Sequence, residues 1–167
     1  KTFYTIGFLL IGLVVNAQYL SGNEFQYTIA QDEIIEVYYK ETNISEIDIR
    51  SQKIINDYYW FEDGIIYEID KDYEEIIGSY NTNQITVYEQ TYELQKPVFS
   101  KMILSKKNDS SFEVKIKSNT KQITIEDKKA QLPDVVKLWL VERGIERVEK
   151  RNNKAENIFE AFLQINT

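Results

Sequence analysis

Residues 132–141, Leu-Pro-Asp-Val-Val-Lys-Leu-Trp-Leu-Val, carry the strongest structural signal in the chain. The run from Val135 to Val141 is apolar on almost every side, and only Lys137 interrupts it. Pro133 stands just before this run, where a proline fits the first turn of a helix. We interpret the segment as a buried helix, because an element that is apolar all round has to be covered all round. A central β-strand is the alternative interpretation.

The residues that follow predict helical structure up to about residue 165. Gly144 is the expected break, because glycine weakens a helix interior, although the apolar residues around it keep a helical spacing. Asn153 and Glu156 have the spacing of a capping box, which predicts the start of a second helix. The apolar stripe of this second helix is expected to dock on the sheet through Phe159 and Phe162.

Before this helical region, the chain consists of short β-prone runs separated by turn residues. Their spacing of about 8–12 residues favours an antiparallel arrangement over a parallel one. The predicted fold is mainly β (α+β): an antiparallel β-meander, barrel or sandwich with one or two C-terminal helices packed on it. A chain of this length suits one domain, which we place over residues 18–167. The predicted strands are Phe25–Ala30, Ile34–Tyr39, Ile44–Ile49, Ile54–Phe61, Ile65–Ile69, Ile76–Tyr80, Ile85–Tyr92, Val98–Leu104, Phe112–Lys117 and Gln122–Ile125.

This order of elements, hairpins up to about Glu126 and then the apolar helix at 132–141, resembles barrels that wrap a C-terminal helix, as in tubby-like proteins. The resemblance lies in the order of elements. No diagnostic motif covers any stretch of the chain, so we assign no family.

The first seventeen residues have the layout of a secretory signal peptide. Lys1 is followed by an uncharged, mostly apolar run to Val15, and Asn16-Ala17 ends it with short side chains. The apolar run of about 13 residues is short for a membrane span, which needs about 20. We expect cleavage after Ala17, no stable membrane span in the mature chain, and a secreted or periplasmic location. A buried N-terminal element and an uncleaved anchor are the alternatives.

The composition excludes several classes of chemistry. The 167 residues contain no His and no Cys, which excludes a Ser-His-Asp triad, a Cys nucleophile, a zinc finger and disulfides. Residues 18–95 hold 17 acidic and four basic side chains, whereas residues 96–167 hold 10 and 15. The two halves either neutralise each other or form a dipolar surface. The net charge of −7 argues against nucleic acid as a partner.

One aromatic cluster is a candidate ligand-binding site. In the run from Asp57 to Asp63, alternation on a strand places Tyr58 and Trp60 on one face, with Tyr59 and Phe61 on the other. An exposed Tyr58–Trp60 pair flanked by Glu62 and Asp63 suits stacking on a sugar ring and accepting its hydroxyl hydrogen bonds. The alternative is that these aromatic side chains fill the core.

The leading functional hypothesis is an exported, non-catalytic binding or interaction module for a small ligand or a protein partner, without a cofactor. A carboxylate-dependent glycan hydrolase is one alternative, since acids are abundant and such enzymes need two carboxyl groups. A structural envelope protein is another. We predict no metal site: residues 70–75 resemble the start of an EF-hand loop, but Glu75 and Asn81 replace the required Gly and Glu.

Overall fold

The computed structural model describes residues 20, 22–30, 34–48, 53–71, 73–95, 101–129 and 131–165, without the side chains of Lys101 and residues 159–165. Over these residues, the chain forms twelve strands and then one helix. The elements are β1 (Glu24–Ile29), β2 (Ile34–Tyr39), β3 (Thr42–Asp48), β4 (Lys53–Ile55), β5 (Tyr59–Glu62), β6 (Ile65–Asp70), β7 (Tyr73–Tyr80), β8 (Gln84–Val87), β9 (Gln90–Gln95), β10 (Lys101–Lys106), β11 (Asp109–Ser118), β12 (Gln122–Glu126) and α1 (Asp134–Ile165).

The strands form a closed antiparallel barrel. Each strand pairs with the next one in sequence, and β1 closes the ring against β12, with Phe25 opposite Ile123. Inward side chains are apolar and buried, as the strict alternation in β11 illustrates: Val114 and Ile116 are buried and their neighbours are exposed. The mainly β, antiparallel fold with a C-terminal helix is therefore confirmed, and its form is a barrel.

The first part of α1 runs through the inside of the barrel. Every residue from Val135 to Val141 is buried, so no side of this segment faces solvent. The helix contacts β4, β8 and β12, which lie one third of the circumference apart. A helix outside a closed wall could reach only neighbouring strands. The apolar segment is thus a helix and not a strand, and the barrel wraps it. No helix in the described part of the chain is long and apolar enough to cross a membrane.

The barrel has two ends, which we name by the direction of α1. The proximal rim, where α1 begins, carries the turns at 40–41, 56–58, 88–89 and 107–108. The distal rim, where α1 leaves, carries the turns at 63–64, 81–83 and 119–121. A helix of 32 residues is about 48 Å long, whereas a strand of six residues spans about 20 Å. About half of α1 therefore projects beyond the distal rim.

At the proximal rim, a buried lysine ties the helix to the segment before β1. Lys137 Nζ donates a hydrogen bond to the carbonyl oxygen of Leu20 at 2.6 Å. The N–H of Leu20 donates in turn to Asp134 Oδ2 at 2.9 Å. Asp134 Oδ1 lies 3.9 Å from Lys137 Nζ. The single charge in the apolar run is therefore matched by a carbonyl and a carboxylate, as a buried ammonium group requires.

The predicted helix break at Gly144 and the predicted helix start at Asn153 are both wrong, because α1 is continuous from Asp134 to Ile165. Gly144 is needed for packing instead. A Cβ atom at this position would lie 2.8 Å from Cδ1 and 3.2 Å from Cγ2 of Ile123 on the barrel wall. The predicted docking through Phe159 and Phe162 concerns side chains that lie outside the described residues.

Two predicted strands are each divided by a turn. The run Ile54–Phe61 breaks at Asn56, whose side chain donates to the carbonyl of Ile44 and accepts the N–H of Tyr58 at 2.9 Å.

 The run Ile85–Tyr92 breaks at Tyr88 and Glu89, whose φ angles are 47° and 63°. Both residues therefore have left-handed backbone, as a two-residue hairpin turn requires, although this turn lacks the Asn-Gly or Asp-Gly pair that usually signals it.

We predict that Gly144→Val destabilises the protein by about 1–3 kcal/mol, the usual cost of overpacking a core. Chemical denaturation of both proteins measures the change in the free energy of unfolding. Combining Gly144→Val with Ile123→Ala should cost less than the sum of the two single changes, because the shortened side chain makes room. If Gly144 only weakened the helix, the valine would leave stability unchanged or increase it.

Candidate functional site

The structure places the predicted ligand-binding residues along one strand. Trp60 and Glu62 lie on the outer face of β5, Tyr58 precedes that strand at the proximal rim, and Asp63 lies in the distal turn. The predicted alternation is confirmed on the inner face, where Phe61 is fully buried. From Tyr58 to Asp63 the strand spacing gives about 16 Å. The four side chains therefore follow a line and do not converge on one point.

Trp60 is already engaged by its own neighbours. Its ring centroid lies 6.0 Å from that of Tyr67, and Lys53 Nζ lies 5.8 Å from the indole ring. Lys53 also forms an ion pair with Glu62. The indole N–H is enclosed, and it has no hydrogen-bond partner within the described residues. These contacts favour a packed apolar surface over an open sugar-stacking platform.

A different site lies where α1 leaves the distal rim, in a cleft that we call the basic cleft. Its volume is about 320 Å³. Its apolar floor comes from Leu94 on β9 and Met102 on β10, both buried. Five basic side chains and one acidic side chain contribute to its lining. The lining residues are Thr82, Leu94, Met102, Arg143, Glu146, Arg147, Lys150, Arg151 and Lys154.

Partners within the chain hold several cationic side chains of the basic cleft, and Glu146 pairs with Lys150 as well as with Arg143. Arg143 binds Glu142 and lies 2.7 Å from Glu146, so its charge is balanced. Arg151 is held against the barrel by hydrogen bonds from Nη2 to the carbonyl and hydroxyl oxygens of Ser118, at 3.3 and 3.4 Å. Burial, and then the nearby charge of Arg151, lowers the pKa of Arg147. An anion in the cleft would relieve this repulsion.

A second cleft lies beside the basic cleft and shares Arg143, Glu146 and Lys150 with it. Its volume is about 260 Å³, and its carboxylates come from Asp48 and from three glutamates of the helix. The pKa of Glu142 is raised, because burial has a larger effect than the opposing bidentate contact with Arg143. The carboxylate of Glu142 is therefore occupied by an ion pair. Two neighbouring faces of the emerging helix thus differ in their balance of acidic and basic side chains.

A polar cluster lies inside the barrel near the proximal rim. Tyr88 donates a hydrogen bond to Glu68, and its hydroxyl group also bonds with that of Tyr59. Burial is the main cause that raises the pKa of Tyr59 to about 12, and Glu68 and Asp134 add to it. Burial also raises the pKa of Tyr88. The hydroxyl groups of Tyr59 and Tyr88 therefore stay protonated at neutral pH.

The acids that the composition offers for glycan hydrolysis lie at both rims of the barrel. Glu62 and Asp63 lie toward the distal rim, whereas Asp57, Glu68, Asp70 and Glu89 lie toward the proximal rim. A hydrolase needs two carboxyl groups within about 5–10 Å of each other. Among the residues that the structure describes, no group of three or more acids is placed to hold a metal ion.

The sequence does contain a signal for the basic cleft, which our sequence analysis missed. The basic residues of α1 recur at helical spacing and so share one face. They are Arg143, Arg147, Lys150, Arg151 and Lys154. The floor could not be found this way, because Leu94 and Met102 are distant in sequence and meet the helix only in the closed barrel.

The chain matches no family model, and it matches no curated protein and no solved structure. The assignment of function therefore depends on the fold and on the site geometry.

We predict that the tyrosines inside the barrel make stability sensitive to alkali. Since the pKa of Tyr59 is about 12 in the fold and 10.0 ordinarily, its contribution is present below pH 10 and is lost as the pH rises toward 12. The free energy of unfolding should therefore fall more steeply over this range in the wild type than in Tyr59→Phe. Denaturant titrations at several pH values measure this. Parallel curves for the two proteins would contradict the prediction.

Proposed function

We propose that this protein is a non-catalytic binding module that holds a small anionic ligand with an apolar portion in the basic cleft. The observation that carries the proposal is the combination of a buried apolar floor with a wall of cationic side chains at one opening of the barrel. The volume of about 320 Å³ is at the lower end of the range for small-molecule sites.

The chemistry of the wall supports an oxyanion as the polar part of the ligand. Arg147 and Arg151 are one helical turn apart, and guanidinium groups bind carboxylate, phosphate or sulfate through paired hydrogen bonds. Leu94 and Met102 would contact an alkyl or aromatic portion. Methionine suits such a floor because its flexible side chain adapts to different shapes.

Export remains part of the proposal. The layout of residues 1–17 supports cleavage after Ala17 and a secreted or periplasmic location. The hydrolase and envelope-protein alternatives have no specific observation in their favour.

The test is a calorimetric titration of the protein with octyl phosphate, which is kept below the concentration at which octyl phosphate forms micelles. We expect binding that weakens with added salt, and weaker binding of inorganic phosphate and of the uncharged octyl glucoside. Arg147→Gln combined with Arg151→Gln should weaken the binding of octyl phosphate at least about tenfold, since a hydrogen bond to a charged group contributes about 1.5–3 kcal/mol.

The matched control is Lys107→Gln combined with Lys128→Gln, which removes the same charge from exposed positions toward the proximal rim. This variant should bind octyl phosphate as the wild type does. Equal weakening in the two double variants, or equal binding of octyl glucoside, would contradict the proposal.

A further inference from the structure

A row of apolar side chains crosses the outside of the barrel. Ile55 on β4 lies opposite Trp60 on β5, Trp60 lies opposite Tyr67 on β6, and Tyr67 lies opposite Ile76 on β7. The two ends of the row are the most accessible, with Ile55 51% and Ile76 62% exposed. We call these four residues the outer row. Side chains directly opposite each other on neighbouring strands are in contact, so the row is one continuous surface.

The wall on the opposite side of the barrel has a different composition. Outward positions on β11 and β12 are polar or charged: Glu113, Lys115, Lys117, Thr124 and Glu126. The outer row, in contrast, places aromatic and aliphatic side chains where the fold requires none. A contiguous exposed apolar surface of this kind is typical of an interaction site.

Acidic side chains border the outer row. Glu46 on β3 lies directly opposite Ile55, at one end of the row. Glu74 is exposed on β7, two residues from Ile76 at the other end. The chain itself shows which cation fits, because Lys53 places its ammonium group over the Trp60 ring and beside Glu62. The surface therefore combines apolar contact with attraction for lysine or arginine.

From these contacts we infer that the outer row is a docking surface for a basic segment of a partner protein, one with apolar side chains between its lysines or arginines. Charge complementarity selects this occupant. A second copy docked through the same row would bring the acidic borders of both copies together. An anionic lipid surface would meet the same repulsion. The surface lies on the outer wall and is separate from the basic cleft.

The experiment measures the binding of the fluorescently labelled peptide Lys-Lys-Leu-Thr-Leu-Thr-Leu-Lys-Lys to the full chain by anisotropy. Ile55→Ser combined with Ile76→Ser should weaken binding at least tenfold. Ile29→Ser is the matched control, because Ile29 is an isoleucine of similar exposure, 55%, that lies outside the row. That control should bind as the wild type does.

Two further peptides separate the contributions of charge and apolar contact. Replacing the lysines by glutamates should abolish binding, and replacing the leucines by serines should weaken it at least tenfold. Absence of binding by the first peptide, or equal binding by all three, would overturn the inference. Two other results would also overturn the inference. They are a dimer in sedimentation, or adsorption to phosphatidylcholine vesicles, if either is lost when Ile55→Ser is combined with Ile76→Ser.

Discussion

The interior width of a closed twelve-stranded barrel is the constraint on which the rest of this structure depends. About eight strands enclose a space that their own side chains can fill, and twelve enclose more. The segment Val135–Val141 fills the excess as a helix. This explains why the helix is apolar on every side, and why a glycine stands where it approaches the wall most closely. The only charge in that segment, Lys137, is matched by Leu20 and Asp134.

The same helix creates the candidate site once it leaves the barrel. Inside the barrel, every side of the helix is buried, because the wall surrounds it. Beyond the distal rim, one face carries mostly arginines and lysines, and the neighbouring face carries glutamates together with Arg143 and Lys150. The basic side faces the buried side chains of Leu94 and Met102, so an anionic group and an apolar group can be bound together. Filling the barrel and forming the basic cleft are thus consequences of one element.

The fold was predictable where a local pattern fixes it. The apolar run after Pro133 predicted a buried helix, and the β-prone run Phe112–Lys117 predicted a strand that lies within β11. The turn at Tyr88 and Glu89 was not predictable, because neither residue is typical of left-handed backbone. Gly144 was misinterpreted because its requirement comes from Ile123 on the opposite wall. The site was missed for the same reason: its floor and wall meet only through the closure of the barrel.

The most direct test of this account is a disulfide between Gly144→Cys and Ile123→Cys in the full chain, which has no other cysteine. A Cβ at position 144 would lie 3.2–3.4 Å from the branch atoms of Ile123, which suits a disulfide. We predict that mild oxidation of the folded protein joins the two thiols within one chain. Pairing Gly144→Cys with Ile103→Cys, on the outward face of β10, should give no such bond. Two free thiols at 144 and 123 in the folded, oxidised protein would contradict a helix that runs through the barrel.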